Sequence, residues 1–535
     1  KKLFLQAPTG IGKTISALFP AVKAEAEGLT SKIFYLTAKS TMRRAAEDAF
    51  LSMRGKGLKI KTITITAKEK ICSNEELSCS PGACIYARGH FDRVNDAIMD
   101  IVTNEDSFTA DVIARYAKKH RVCPFEYSLD IALLCDCIIC DYNYAFDPRV
   151  YLKRFFLDAG GDYTFLVDEA HNLVDRSRDM FSAELYKKPI LGLRRYMKAK
   201  SPEIYKTLNK LNAYMLGLKK RCGGSNFYLL EEEPSDIYPF LRDFIGECDE
   251  WFKRGYDSDT QKNVLDAYFD AIAFLRIADC YDENYAAYLE KDGGDIKLKL
   301  FCIDPANLLQ DACRRSRASV FFSATLTPLG YFREILGGCG DDYMVSIPSP
   351  YDSSNLCLLI ADDISTRYRD RDSSLEDVAK LIHEVISCRR ANYLAFFPSY
   401  KYMRDVEDIF VGRYPDCPVA AQTSGMGEGE RDDFLRRFSP GADTGLLGFA
   451  VLGGVFSEGI DLKGERLSGA IIVGVGLPQV SAERDLIMKY FRLKNNSGYE
   501  YAYMYPGMSK VLQAAGRVIR SETDIGAVLL IDERF

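Results

Sequence analysis

Residues 7–14 read Ala7-Pro8-Thr9-Gly10-Ile11-Gly12-Lys13-Thr14. The apolar run KKLFLQAP precedes the turn and the helix-spaced run ISALFPAVKAEAEG follows it. A strand, a glycine turn and a helix form the setting in which backbone N–H groups cradle phosphate. Gly10 and Gly12 would let the backbone approach, Lys13 would reach the β and γ phosphates, and Thr14 would hold Mg²⁺. Ala7 stands where such loops usually begin with glycine. A second unit is Asp168-Glu169-Ala170-His171, directly after the apolar run FLV. A carboxylate at the end of a parallel strand lies at the nucleotide crevice. Asp168 is expected to bind Mg²⁺ through water, Glu169 to orient the attacking water, and His171 to report hydrolysis onward. The third unit is Gln513, Arg517 and Arg520, spaced i, i+4, i+7, which predicts one helix face. Two guanidinium groups on one face suit a γ-phosphate that gains charge in the transition state. A solvated basic face is the bland reading. Gly516 argues against it, since glycine inside a helix costs about 1 kcal/mol and close backbone approach would explain it.

Lys13 and Gln513 lie 500 positions apart. Units so far apart imply one α/β lobe carrying the phosphate loop and acidic pair, and a second supplying arginines across a cleft. Opening and closing that cleft is mechanical work. A chain of 535 residues is too long for one core and suggests roughly three or four domains. With 47% hydrophobic and 27% charged residues, the composition is that of a globular protein. A net charge of −6 excludes a uniformly basic coat, so a nucleic-acid partner would need local basic tracts. No apolar run reaches bilayer length, which argues against a membrane partner. Sixteen cysteines in a chain this long fit a reducing, cytoplasmic setting rather than a disulfide scaffold. The sequence opens without methionine and is expected to lack upstream residues.

Cys72, Cys79, Cys84 and Cys123 are separated by six, four and thirty-eight residues. Structural zinc sites usually show two tight pairs, and here one fairly tight pair exists. Cys135, Cys137 and Cys140 compete for the fourth position by spacing. Their stretch ALLCDCIICDYNY reads as an apolar strand, where cysteine behaves as a small hydrophobe.

Together with these units, Ser323-Ala324-Thr325, Thr37 to Thr41, Phe397-Pro398-Ser399, Asp141 to Val150 and GVFSEGIDLKG occur in one order along the chain. The ordered set resembles the XPD/DinG family of superfamily 2 iron–sulphur DNA helicases, on its bacterial DinG-like branch. The resemblance spans nearly the whole chain. It implies an α/β fold of two RecA-like motor lobes, with an inserted small iron–sulphur domain and a mainly helical arch. The expected first lobe is 1–68 with 141–178 and 298–348. The cluster domain is 69–140, the arch 179–297 and the second lobe 349–535. The resemblance implies ATP, Mg²⁺ and a [4Fe–4S] cluster on Cys72, Cys79, Cys84 and Cys123. It also places Glu458, Gly459 and Asp461 in the motif joining strand contacts to the nucleotide cleft.

The implied activity is ATP-driven unwinding of duplex DNA, 5′ to 3′, after loading on single-stranded or forked DNA, in repair or replication. Tyr86, Arg88 and Phe91 are candidate strand contacts. The family's adenine-recognising glutamine motif would lie upstream of this sequence. An upstream nuclease-like domain or repair proteins are candidate partners of a monomeric motor. The rival readings are a single-strand translocase or nuclease accessory, and a repair-complex scaffold. From Leu191 to Cys222 there are nine basic residues and one acidic, Glu203. This tract could line a single-strand path.

Overall fold

The computed structural model describes all residues except 75–78, 80, 81, 83, 157–160, 255–257, 442–444 and 458–461. Two parallel sheets and one antiparallel sheet carry the architecture. The first sheet has eight strands, in the order Tyr343–Ser346, Lys2–Gln6, Ala318–Ser323, Tyr163–Asp168, Lys32–Leu36, Cys137–Cys140, Thr62–Thr64 and Ser107–Phe108. Its central strands are apolar throughout because helices cover both faces, as a parallel sheet requires. Lys2–Gln6, Ala318–Ser323 and Tyr163–Asp168 are side by side in it. Their carboxyl ends therefore bring the phosphate loop, the Ser323–Thr325 turn and the acidic pair to one rim.

The second sheet has six parallel strands, in the order Leu356–Ala361, Gly526–Ile531, Gly469–Val473, Tyr393–Phe397, Leu447–Val451 and Val419–Ala421. Two apolar cores fill its faces, one around Phe396 and Ile472 and one around Phe397 and Phe449.

Inserted within the first lobe, helices Lys187–Met197, Pro202–Arg221, Tyr238–Phe252 and Ser258–Ala278 pack on a four-stranded antiparallel sheet. The expected arch is thus helices on a sheet. Its strand Asp295–Cys302 pairs with Ala183–Tyr186, so residues 298–302 belong to this sheet and not to the first lobe. The expected insertion at 69–140 is likewise narrower at its end. Ser107–Phe108 and Cys137–Cys140 are strands of the first lobe's sheet, because their buried apolar residues complete its edge. The helices His90–Asn104, Ala110–His120 and Pro124–Ala132 share the first lobe's core. No helix among the described residues is long and apolar enough to cross a membrane.

Candidate nucleotide cleft and cysteine segment

The strand Lys2–Gln6 ends in the phosphate loop, and the helix Lys13–Ala26 begins directly after it. Gly10 and Gly12 both adopt positive φ, 84° and 76°, which turns the loop's N–H groups inward. Lys13 Nζ donates to the Pro8 carbonyl at 3.1 Å, across its own loop. Burial lowers the Lys13 pKa, while Glu169 and Asp168 pull it back up.

Asp168 closes the strand Tyr163–Asp168 and is 3% exposed. Tyr35 donates its hydroxyl to Asp168 Oδ2 at 2.5 Å, and Tyr35 is also hydrogen-bonded to Thr14. One buried hydroxyl thereby ties together the two residues expected at Mg²⁺. Burial, and then the Glu169 carboxylate, push the Asp168 pKa up to about 7. A buried carboxylate short of positive charge is a fitting ligand for a divalent cation.

Glu169 has φ 48°, so the chain turns sharply after the strand and aims the carboxylate across the cleft. Ser323 Oγ donates to Glu169 Oε2 at 2.8 Å. His171 Nδ1 lies 2.8 Å from the same Ser323 Oγ, and the Gln513 amide donates to His171 Nε2. The pattern assigns the imidazole proton to Nδ1, which donates to Ser323. Burial lowers the His171 pKa to about 4, so the ring is neutral near pH 7. Burial alone would raise the Glu169 pKa. With the ring neutral, the Lys13 ammonium, the Ser323 hydroxyl and the Arg517 guanidinium are the groups that favour the ionised Glu169 carboxylate. A hydrogen-bonded chain therefore runs from Gln513 of the second lobe to Glu169 of the first.

One further contact joins the lobes at the phosphate loop, where Thr9 Oγ1 donates to Gly516 O at 2.8 Å. Within the second lobe, Tyr351 Oη donates to Arg520 O at 2.9 Å, and both atoms lie against Gly10. The resulting cleft is a cavity of about 500 Å³, lined by Thr9, Glu169, His171, Gln513, Gly516 and Arg517 among others.

The helix predicted to hold Gln513, Arg517 and Arg520 is shorter than expected. Tyr505–Ala515 is helical and carries Gln513, while Arg517 and Arg520 lie in the turn beyond Gly516. Glycine ends the helix here, so its cost falls at a cap and not in a helix interior. Arg517 is 9% exposed and its Nε donates to the Ser457 carbonyl at 3.3 Å. Its charge and that of Arg520 both act on Lys13, so both guanidinium groups are within electrostatic reach of the phosphate loop's lysine. Glu458, Gly459 and Asp461 lie outside the described residues. Sequence reasoning missed Tyr35, Tyr142 and Tyr351. Tyr142 donates to the backbone carbonyls of Asp168 and Glu169. A tyrosine within an apolar run is the available signal, because a buried phenol needs a polar partner.

The four expected cluster ligands are free thiols. Cys72 and Cys123 are half-buried, Cys84 is buried and Cys79 is exposed. Lys68 is hydrogen-bonded to Cys79 and its charge also reaches Cys123. Asn74 Nδ2 lies 3.1 Å from Cys84 Sγ. No group of three or more metal-ligating side chains is gathered among the described residues. The donor chemistry, thiols of which Cys79 and Cys123 lie within reach of the Lys68 ammonium, suits thiolate-held iron. Cys137 and Cys140 are buried in the strand Cys137–Cys140 and Cys135 is buried just before it. Burial drives all three thiol pKa values up, the environment of a packing residue.

Two parallel α/β lobes with a nucleotide cleft between them define an ATP-driven motor. Residues 382–535 match the family model described as helicase C-terminal domain, and residues 54–190 match DEAD_2. The ATP-dependent DNA helicase XPD of Sulfolobus acidocaldarius is 24% identical over 99% of this chain and 92% of its own length. The ATP-dependent DNA helicase chl-1 of Caenorhabditis elegans is 21% identical over 93% of this chain and 68% of its own. The solved XPD helicase covers 100% of this chain and 92% of its own with a TM-score of 0.62 at 19% identity. The S. tokodaii Xpd4 structure covers the same shares with a TM-score of 0.61 at 15% identity. The chain thus carries matches to the helicase C-terminal domain and DEAD_2 models, and is similar over nearly its whole length to XPD-type helicases.

Proposed function

We propose that this chain is an ATP-dependent DNA helicase that loads on single-stranded DNA and opens forked duplex in the 5′ to 3′ sense, in repair or replication. The observation that carries it is the chain Gln513–His171–Ser323–Glu169, which makes the hydrolytic carboxylate sensitive to the position of the second lobe. Lys13, Arg517 and Arg520 would bind the phosphates and offset charge developing on the γ-phosphate. Glu169, held ionised, would orient the water. Thr14 and Asp168 would hold Mg²⁺, which supplies positive charge to the phosphates when bound. Neutral His171 leaves Glu169 free of a competing proton.

A second cavity, of about 780 Å³, opens where residues 67–70 and 125–129 face 141–154. Lys68, Lys70, Arg149 and Lys153 line it with Tyr144 and Tyr151. Cations interleaved with aromatics suit a single strand held by its phosphates and stacked bases. Phe91, 84% exposed on the first turn of His90–Asn104, is placed to meet a base. Cys72, Cys79, Cys84 and Cys123 would hold a [4Fe–4S] cluster that staples this small segment. The stretches APTGIGKT and DYNYAFDP support the bacterial DinG-like branch, in which an upstream nuclease-like domain would be a partner. The deciding experiment measures ATPase with and without single-stranded DNA, then unwinding of a 5′-tailed fork. Absence of both activities overturns the reading. Stimulated ATPase without unwinding would favour the translocase.

A further inference from the structure

The crossover from Gly469–Val473 to its parallel neighbour Gly526–Ile531 occupies residues 474–525. Such a crossover needs only a dozen or so residues. Here the chain leaves the second lobe, forms the helix Ala482–Asn495 and a π-turn at Glu500–Met504, and returns through Tyr505–Ala515. Leu486, Ile487, Phe491 and Tyr501 are buried in the core shared by the first lobe and the arch, not in either core of the second. Val511 and Ala514, a few residues on, are in a second-lobe core. The helix that carries Gln513 is therefore entered from one body and packed in the other.

Polar contacts anchor the excursion. Glu483 accepts from the Tyr288 hydroxyl at 2.6 Å and pairs with Lys299 at 2.7 Å, both on the arch sheet. Arg484 pairs with Asp175 at 3.1 Å, on the helix that follows Glu169. Lys494 pairs at 2.7 Å with Asp304, which is 3% exposed. The Tyr501 hydroxyl donates to Glu334 at 2.5 Å, on the helix that follows Thr325. The π-turn then joins this docked segment to the helix of Gln513. A π-turn in an α-helical run is often found at functional positions.

We propose that residues 482–504 form a strut through which the arch sets the position of Gln513 and Arg517, with Glu483 and Tyr288 as positioning residues. A strand that displaces the arch sheet carries Glu483 with it, and the π-turn passes that shift to the end of the helix facing His171. The proposal deepens the helicase reading and rests on it. It names a physical link between strand binding and hydrolysis, and the coupling must be reciprocal.

The test uses this chain with ATP and a short oligothymidylate. Basal kcat, DNA-stimulated kcat, KM for ATP and oligonucleotide Kd are measured for wild type, Tyr288→Phe, Glu483→Gln, Lys299→Glu and the swapped pair Lys299→Glu with Glu483→Lys. Expected are basal kcat and Kd within about twofold of wild type, and stimulation lowered roughly fivefold or more in the Glu483 and Lys299 single variants, the size of an ordinary allosteric coupling. The swapped pair should recover only part of it, since Glu483→Lys cannot accept from the Tyr288 hydroxyl and Lys299→Glu also meets Glu184, 2.9 Å from the native ammonium. Tyr288→Phe keeps the ring and removes one hydroxyl, so it reads the contact even where a charge change disturbs folding. Stimulation unchanged in Tyr288→Phe and Glu483→Gln, with wild type stimulated, overturns the strut. A wild type that DNA does not stimulate overturns the helicase reading itself, and the strut with it.

Discussion

Gly10→Ala tests whether the phosphate loop and the second lobe share one tightly packed junction. Gly10 has φ 84°, and a Cβ there would lie closer than 3.0 Å to both the Arg520 carbonyl oxygen and the Tyr351 hydroxyl. Alanine pays about 1–2 kcal/mol for the left-handed backbone wherever the lobes stand. The overlap adds about 1–3 kcal/mol, and only while the lobes are together. Relative to the open arrangement the closed one thus loses roughly 1–3 kcal/mol, about 5-fold to 140-fold in population at tenfold per 1.4 kcal/mol. The assay is kcat/KM for ATP beside thermal unfolding. Activity should fall by that factor, while stability falls only by the backbone share, because each lobe keeps its own core. Tyr351→Phe, which removes the hydrogen bond that holds the Arg520 carbonyl against Gly10, should cost about 1.5 kcal/mol at most, or roughly tenfold. Turnover of Gly10→Ala within threefold of wild type, at unchanged KM, would refute the junction. So would a loss of activity matched by global unfolding.

Glu169→Gln should abolish hydrolysis and keep ATP binding, read by nucleotide fluorescence, and Arg517→Ala should cost around 10³-fold in turnover. His171 has a folded pKa near 4 against an ordinary 6.5. The unfolded chain binds the extra proton first, so stability is full above pH 6.5 and falls with pH until about 4. The loss reaches about 3 kcal/mol, and His171→Gln should flatten that part of the urea-unfolding profile. Anaerobically purified protein should contain about four irons per chain if the cluster is [4Fe–4S]. Serine at Cys72, Cys79, Cys84 or Cys123 should remove the iron and unwinding while leaving basal ATPase. Iron retained in all four variants, or zinc alone, would defeat that assignment. Replacing Arg194, Arg195, Lys198, Lys219 and Lys220 together should flatten the salt dependence of single-strand binding, whose slope is near −0.7 per phosphate neutralised. An unchanged slope returns the tract to a solvated face.

The phosphate loop and acidic pair were legible because each is contiguous and follows an apolar strand that can only be buried. The arginines were legible as chemistry but not as structure. Helical spacing runs on through Gly516, yet the chain stops being helical there, since Gly516 O is taken by Thr9 from the other lobe. No local pattern reveals a partner 507 positions away. The arch sheet was legible and was passed over. In residues 285–302, Gly293 and Gly294 have φ 51° and 87° and join two paired strands. Two glycines between alternating apolar runs are a hairpin signal. The narrowing of the expected insertion has a similar origin. Cys137–Cys140 reads as an apolar strand, but its place in the first sheet depends on Ile33 and Thr62, far back in the chain.

The strand order also bears on how the molecule is made. Lys2 pairs with Ser319, so the strand that launches the phosphate loop waits for a partner synthesised more than 300 residues later. At 5–20 residues per second this is a delay on the order of 15–60 s. The second lobe repeats the arrangement, since Gly526–Ile531 inserts between Leu356–Ala361 and Gly469–Val473. Until then Leu356–Ala361 has no neighbour on its sheet, and Leu358 and Ile360 remain exposed even in the finished fold. Each half of the motor is completed by a strand made late in its synthesis, so the nascent chain presents sticky, incomplete edges to the ribosome's surroundings for much of that time. Expression yield should respond to chaperone supply more than to changes in the cleft.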